Sequence, residues 1–200
     1  MTELTDPSGS VRIVGHEVLA DDWYVLRKYR FDYRRRDGSW QQLHREAYDR
    51  GNGAVVLLYD RARGTVILTR QFRLPAFVNG HPDGRLLEAP AGLLDTDSPA
   101  DAIRREAEEE TGFRLHEVTE VLSAYMSPGS VTERLHFFLA PYDHGSRISD
   151  GGGSAAEGED IEVLEVPLAE ALAMIADGRI VDGKTILLLY HLQLSGLMGG

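Results

Sequence analysis

GLLDTDSPADAIRREAEEETGF, residues 92–113, places more acid on one short helix than a purely structural helix tolerates. Ser98 suits an N-cap, Pro99 the first helical position and Asp101 the partner of a capping box, and Thr111-Gly112 supplies the stop. Together they predict a helix over 99–111. Ala100, Ile103 and Ala107 can face a core. Four-residue spacing predicts the pairs Asp101 with Arg105, Arg104 with Glu108 and Arg105 with Glu109. Glu106 and Glu110 are then left without a cation, and Glu106, Glu109 and Glu110 form one carboxylate cluster. Like pairs at this spacing cost about 0.2–0.5 kcal/mol each, and acid near a helix C-terminus opposes the macrodipole by a similar amount. A bound divalent cation would offset both, and hard oxygen ligands point to Mg²⁺ or Mn²⁺. A solvated acidic face is the other reading of such a run.

The surrounding pattern favours the metal. Residues 105–113, REAEEETGF, resemble the second half of the Nudix box, R-E-U-x-E-E-x-G-U with U apolar, and Gly92 supplies the leading glycine. The first half departs from the pattern. The interval from Gly92 to Arg105 is one residue short, and the first Glu of the box falls on Ser98, with Asp97 beside it.

Two hundred residues predict one domain, with room for an extension or appended helices. Lys and Arg number 21 against 32 Asp and Glu, a net charge of −11 that opposes sequence-independent nucleic-acid binding. A small anionic substrate is still compatible, because a bound metal inverts the local charge. The absence of cysteine excludes disulfides, thiol catalysis and zinc-thiolate sites. MTELTDPSGS lacks a signal-peptide pattern, and no apolar run is long enough to span a bilayer, so a soluble cytoplasmic protein is expected.

Along the chain, a frayed start of about ten residues leads to strands predicted at Val11–Leu19, at Trp23–Tyr33 with alternating aromatics, and at Trp40–Tyr48 after the turn Arg36-Asp37-Gly38-Ser39. Such an aromatic hairpin needs cover, from the main domain or from a second subunit. Ala54–Tyr59 and Thr65–Phe72 read as central strands, 74–84 as a loop, Arg85–Pro90 as a strand, and Val118–Ser127 and Val131–Tyr142 as two more. Residues 143–158 have loop composition and are either a disordered tether or a mobile active-site loop. A strand at Ile161–Val166, a helix at Leu168–Ala176 and a final helix at Gly183–Leu197 capped by Asp182 complete the reading. Ile186, Leu187, Leu189, Tyr190 and Leu194 of the last helix are expected in the core. The sum is an α/β fold, an α/β/α sandwich with a mixed β-sheet preceded by a β-hairpin region. The N-terminal strand region covers 1–48 and the main domain 49–200.

Nearly the whole chain is similar to the bacterial GDP-mannose pyrophosphatase branch of the Nudix hydrolases, through REAYDRGNGA (45–54), RQFRLPAFVNG (70–80), APAGLLD (89–95), YMSPGSVTE (125–133), EDIEVLEVP (159–167) and DGKTILLL (182–189). The resemblance implies Mg²⁺-dependent cleavage of GDP-mannose to GMP and mannose 1-phosphate, in a homodimer whose N-terminal parts cross between subunits. Relatives acting on ADP-ribose and other ADP-sugars share much of this framework, including a proline after the box, here Pro128. Carried over residue by residue, the metal ligands fall on the backbone carbonyl of Ala91, on Glu106 and Glu110, and on Glu159, with Glu109 ligating or activating water and Arg105 orienting Glu109. Gly92 lets backbone come close to the ligand. Glu159 on its glycine-rich segment is a last ligand or general base that closes with substrate, or else a solvated loop acid.

Sugar-nucleotide contacts map to Trp23, His44, Arg45, Glu46, Arg73, Glu133 and Lys184. Five of them have a plainer alternative. Trp23 stacks on guanine or packs as a strand aromatic; Arg45 and Arg73 bind pyrophosphate oxygens or form surface ion pairs. Glu46 accepts from guanine N1 and the amino group or pairs across a strand, and Lys184 meets a phosphate or covers helix surface. His136 and His191 have no metal-ligand companion at useful spacing. The competing functions are an ADP-ribose or ADP-sugar pyrophosphatase and a Nudix-fold sensor with weak or no catalysis, for which the missing box Glu at Ser98 is the one favourable feature.

Overall fold

The computed structural model describes residues 6–199, so the first half of the expected frayed start lies outside the described residues. The elements follow in chain order. Strands β1 (Val11–Asp21), β2 (Val25–Arg34), β3 (Trp40–Asp49), β4 (Gly53–Asp60) and β5 (Thr65–Phe72) precede a short helix α1 (Leu74–Val78). Next come β6 (Arg85–Glu88), β7 (Ala91–Leu93), helix α2 (Pro99–Thr111), β8 (Thr119–Tyr125) and β9 (Arg134–Pro141). Strand β10 (Glu162–Pro167) and helices α3 (Leu168–Ala176) and α4 (Gly183–Ser195) end the chain. Residues 74–84, read from sequence as a loop, therefore hold one helical turn, started by Pro75, whose fixed φ suits a first turn.

Contacts divide the chain into two compact units, Met1–Gly51 with Ser127–Glu133, and Asn52–Met126 with Arg134–Gly200. The first unit is an antiparallel meander in the order β1-β2-β3, a three-stranded sheet rather than a lone hairpin. Its β2–β3 register runs from Val25 opposite Asp49 to Arg34 opposite Trp40. At the turn, Gly38 takes φ +85° and Asp37 accepts the Ser39 N–H at 2.9 Å. Trp23 lies before β2, in the turn after β1, and is 79% exposed. That removes the packed-strand alternative for Trp23. Ser127–Glu133 joins this unit because Tyr48 and Ser130 share a backbone bond of 2.8 Å and Thr132 donates back to Tyr48 at 3.0 Å. Hence the strand expected to run unbroken from Val131 begins only at Arg134, where the Asn52 side chain accepts the Arg134 N–H at 2.9 Å.

The second unit is the expected α/β/α sandwich. Its mixed sheet runs β10-β5-β4-β9-β8, with β6 paired to β5 and β7 to β4. Only β4 and β9 are parallel, and β4 carries β7 against its first residues and β5 against its last. Strand β4 is buried on both faces, so it reads as the near-continuous apolar run AVVLL. Alternate residues serve two cores. Ala54, Val56 and Leu58 meet Ile103 and Ala107 of α2, and Val55 and Leu57 belong to the cluster with Ala171, Leu188 and Leu192 of α3 and α4. Helix α4 turns Thr185, Leu188, Leu189 and Leu192 inward, while Tyr190 is 48% and Leu194 86% exposed, against the sequence expectation for those two. With nearly every position apolar, periodicity does not mark which stripe is buried.

Candidate active site

Helix α2 starts and stops where its sequence predicts. The Ser98 hydroxyl accepts the Asp101 N–H at 3.2 Å and donates to the Asp101 carboxylate at 2.6 Å. Gly112 closes the helix with φ +77°, its N–H on the Glu108 carbonyl. Ser98 is thus fully accounted for as a cap. The ion pairs differ from the four-residue expectation. Arg104 pairs with Asp101 at 3.0 Å, Glu108 takes Arg114 at 3.2 Å, and Arg105 lies 2.7 Å from Glu106 and 3.6 Å from Asp97. Arg105 therefore orients Glu106, not Glu109, and Glu106 is not unpaired. Helical side chains lean toward the N-terminus, which carries the Arg105 guanidinium back toward Asp97 and past the Glu106 carboxylate.

The three acids of the box sit at different depths. Glu110 is 1% exposed, Glu106 is half-buried and Glu109 is exposed. Strand β7 packs directly on the two inner ones. The Ala91 N–H points at Glu110 Oε2 (3.3 Å), and a Cβ on Gly92 would overlap the Glu106 carboxylate, so only glycine permits that approach. Burial, the largest cause, and its neighbours together push the Glu110 carboxyl up to about 8. Of those neighbours, Glu159, Glu106 and Glu88 raise it and Arg73 lowers it. Glu106 is raised as well, by burial first and with Arg105 opposing. Glu106 and Glu110 thus share a field, to which Glu159 contributes, that disfavours their ionised forms.

Glu159 comes from a segment that is tied down along its length. Arg114 donates to the Ser146 carbonyl at 2.8 Å and Ile148 to Gly112 at 2.8 Å. Gly152 donates to Glu110 at 2.9 Å and Gly153 to Glu109 at 3.2 Å. The glycine-rich stretch is thus seated on the C-terminal end of α2, where its N–H groups meet otherwise unpaired carbonyls. Beyond it, the Ser154 N–H donates to Glu159 Oε2 at 2.9 Å.

Beside this cluster lies a residue that the sequence reading passed over. Glu88, 3% exposed, accepts from Arg73 at 2.8 Å through one oxygen and from Lys184 Nζ at 2.8 Å through the other. Lys184 also lies 3.0 Å from Asp182, which caps α4 through Thr185. An acid inside the apolar run of β6 was the available signal, since a buried strand carboxylate is retained only when paired.

The remaining candidates belong to the N-terminal unit. His44, Arg45 and Glu46 are exposed on β3, opposite Arg30, Tyr29 and Lys28. Strand alternation puts His44 and Glu46 on one face and Arg45 on the other, where Arg45 borders a cavity of about 570 Å³ with Tyr33, Arg35 and Leu43. Glu133 pairs with Arg50 at 3.3 Å.

Among the described residues no three His, Asp or Glu side chains converge as a closed set of metal ligands. Glu106 is turned to Arg105 and Glu159 to a backbone N–H. The donor chemistry nevertheless fits a hard divalent cation: every candidate ligand is oxygen, and the buried Glu110 lacks a full counter-charge. No helix among the described residues is long and apolar enough to cross a membrane.

The sandwich fold and the acid-bearing helix define a class of metal-assisted hydrolase. The NUDIX domain profile matches residues 49–189, and that of the GDP-mannose pyrophosphatase NudK N-terminal domain matches residues 10–48. The chain belongs to the Nudix hydrolase family, whose members generally use a divalent metal ion. It is 57% identical over 189 residues to the GDP-mannose pyrophosphatase of Pectobacterium atrosepticum, covering 94% of this chain and 97% of that one. The enzyme of the same name from Yersinia enterocolitica is 54% identical over 94% of this chain and 99% of its own, and that from Klebsiella pneumoniae 50% over 96% of each. A crystal structure of an ADP compounds hydrolase superposes with a TM-score of 0.68 at 20% identity, over 94% of this chain and 95% of that one, a likeness of fold.

Proposed function

We propose that this protein hydrolyses the pyrophosphate of GDP-mannose to GMP and mannose 1-phosphate in the cytoplasm, with Mg²⁺ as its ion and Mn²⁺ as a substitute. The observation that carries this reading is the buried Glu110 facing Glu106 and Glu159 beside Arg73. The extent of the likeness to GDP-mannose pyrophosphatases supports the choice of substrate. The Ala91 carbonyl, Glu106, Glu110 and Glu159 would hold the ion, which when bound neutralises phosphate oxygens and acidifies water. The exposed Glu109 would ligate the ion or take the proton of the attacking water. Arg73 and Lys184, oriented by Glu88, bind the pyrophosphate through their remaining N–H donors. Trp23, His44, Arg45, Glu46 and Glu133 contact the nucleotide sugar, with Glu46 accepting from the N1 and amino donors of guanine.

The test is release of nucleoside monophosphate from GDP-mannose, GDP-glucose, ADP-ribose and ADP-glucose by the purified protein with Mg²⁺. Preference for GDP-mannose is the expected result. Preference for an ADP-sugar would keep the metal site and discard the guanine contacts, and no turnover at all would leave a binding protein. We also assign a homodimer through the N-terminal unit, because β1–β3 contain no buried residue and leave Ile13, Val14, Val18 and Leu19 each more than 40% exposed.

A further inference from the structure

We propose that Gly151 and Gly153 are positioning residues for the reaction, because they seat the loop on the end of α2 and so fix the Glu159 carboxylate against Glu106 and Glu110 before substrate arrives. This rests on the reading of Glu159 given above. Gly151, Gly152 and Gly153 all have positive φ, at +70°, +112° and +76°. That conformation is rare for other residues, and it turns two successive N–H groups onto the Glu109 and Glu110 carbonyls. Space is limiting as well. A Cβ on Gly151 would lie 2.5 Å from the Glu110 carbonyl oxygen and 2.6 Å from the Thr111 carbonyl carbon, both of them backbone. A Cβ on Gly153 would overlap Glu159 Oε2 and come within 2.9 Å of Glu159 Cβ and Ile161 Cδ1. Relieving those contacts swings the carboxylate away, as the free end of a flexible side chain, and shifts the base of Glu159, whose Cβ is also in the way. The Ser154 N–H, one residue on, is its present partner. Glu159 is therefore linked to the metal helix by backbone, through the carbonyls of the same two residues, Glu109 and Glu110, whose side chains belong to the acid cluster.

Gly158 supplies an internal control. Its φ is +77°, matching Gly153, but a Cβ there would meet nothing within 4 Å. Alanine at either position strains the backbone equally, and only Gly153→Ala displaces the carboxylate.

The experiment compares wild type, Gly153→Ala, Gly158→Ala, Glu159→Gln and the double variant Gly153→Ala with Glu159→Gln. Three quantities are read: kcat and KM for GDP-mannose, Mn²⁺ affinity without substrate by electron paramagnetic resonance, and fold by circular dichroism. Misplacing a reacting group by about 1 Å costs on the order of 100-fold in rate, so Gly153→Ala is expected to lose at least tenfold in kcat with KM within twofold. It should also weaken Mn²⁺ binding, whereas Gly158→Ala stays within twofold of wild type on every measure. The double variant should be no slower than Glu159→Gln alone, because the glycine acts only through that carboxylate. Equal behaviour of Gly153→Ala and Gly158→Ala, or additive losses in the double variant, would overturn the proposal. A fully active Glu159→Gln would instead overturn the underlying assignment of Glu159. If Gly153→Ala does not fold, Glu159→Asp withdraws the carboxylate by one methylene with the loop intact. A tenfold loss there supports the positional requirement, and wild-type turnover overturns it.

Discussion

Glu110 combines deep burial with neighbouring negative charge, so its protonation links stability to pH and, under the proposed assignment, to metal binding. Its carboxyl titrates near 8 in the fold against 4.5 for the free group. The folded state therefore holds the proton more tightly, and stability from this group is present below pH 4.5 and lost as pH rises through 8. In chelator the melting temperature is expected to fall between pH 5 and pH 8, and excess Mg²⁺ should restore it at the alkaline end. Thermal melts across that range check this, and an unchanged midpoint would refute it. Glu110→Gln should lower turnover by orders of magnitude while melting in chelator at pH 8 at or above the wild-type temperature, since the amide carries no charge to bury. Glu88→Gln removes the shared anion between Arg73 and Lys184. Breaking a fully buried pair costs about 3–5 kcal/mol. Arg73 keeps 39% of its side chain exposed, so about 1–3 kcal/mol is expected, read from urea midpoints.

Helix α2 owes its boundaries to its own sequence. Ser98 closes one end and Gly112 the other, so Ser98→Ala is expected to cost about 1 kcal/mol, measurable as a lowered melting temperature with kcat unchanged. The charged face of the same helix is a different matter. Arg105 chose Glu106 and Asp97 over Glu109 because a long guanidinium reaches any acid its rotamers allow, and Asp97 precedes the helix, where sequence spacing does not apply. Helix α4 shows the converse. Its cap at Asp182 was plain, but its inward stripe of Thr185, Leu188, Leu189 and Leu192 was chosen by β4, β6 and β9.

The two units differ in how they satisfy burial. Asn52–Met126 with Arg134–Gly200 buries two cores, one on each face of its sheet, whereas β1–β3 bury none. A sheet with exposed Ile13, Val14, Val18 and Leu19 gains stability only from apolar cover. Sedimentation at micromolar concentration is expected to show a species of twice the 22.2 kDa chain mass. A monomer at that concentration would remove the assignment of β1–β3 as the dimer surface.

Local chemistry was legible in the residues alone: the caps and length of α2, the acids at 106, 109 and 110, the buried run of β4, and the turn at Asp37-Gly38 all depend on neighbours within a few positions. Pairings across long separations were not legible. Glu88 meets Lys184 across 96 positions, Gly152 meets Glu110 across 42, and Val131 leaves its expected strand to bridge to Tyr48. No periodicity encodes such contacts, because which acid finds which cation, and which loop closes a helix end, depends on what the packed sheet brings within hydrogen-bonding distance.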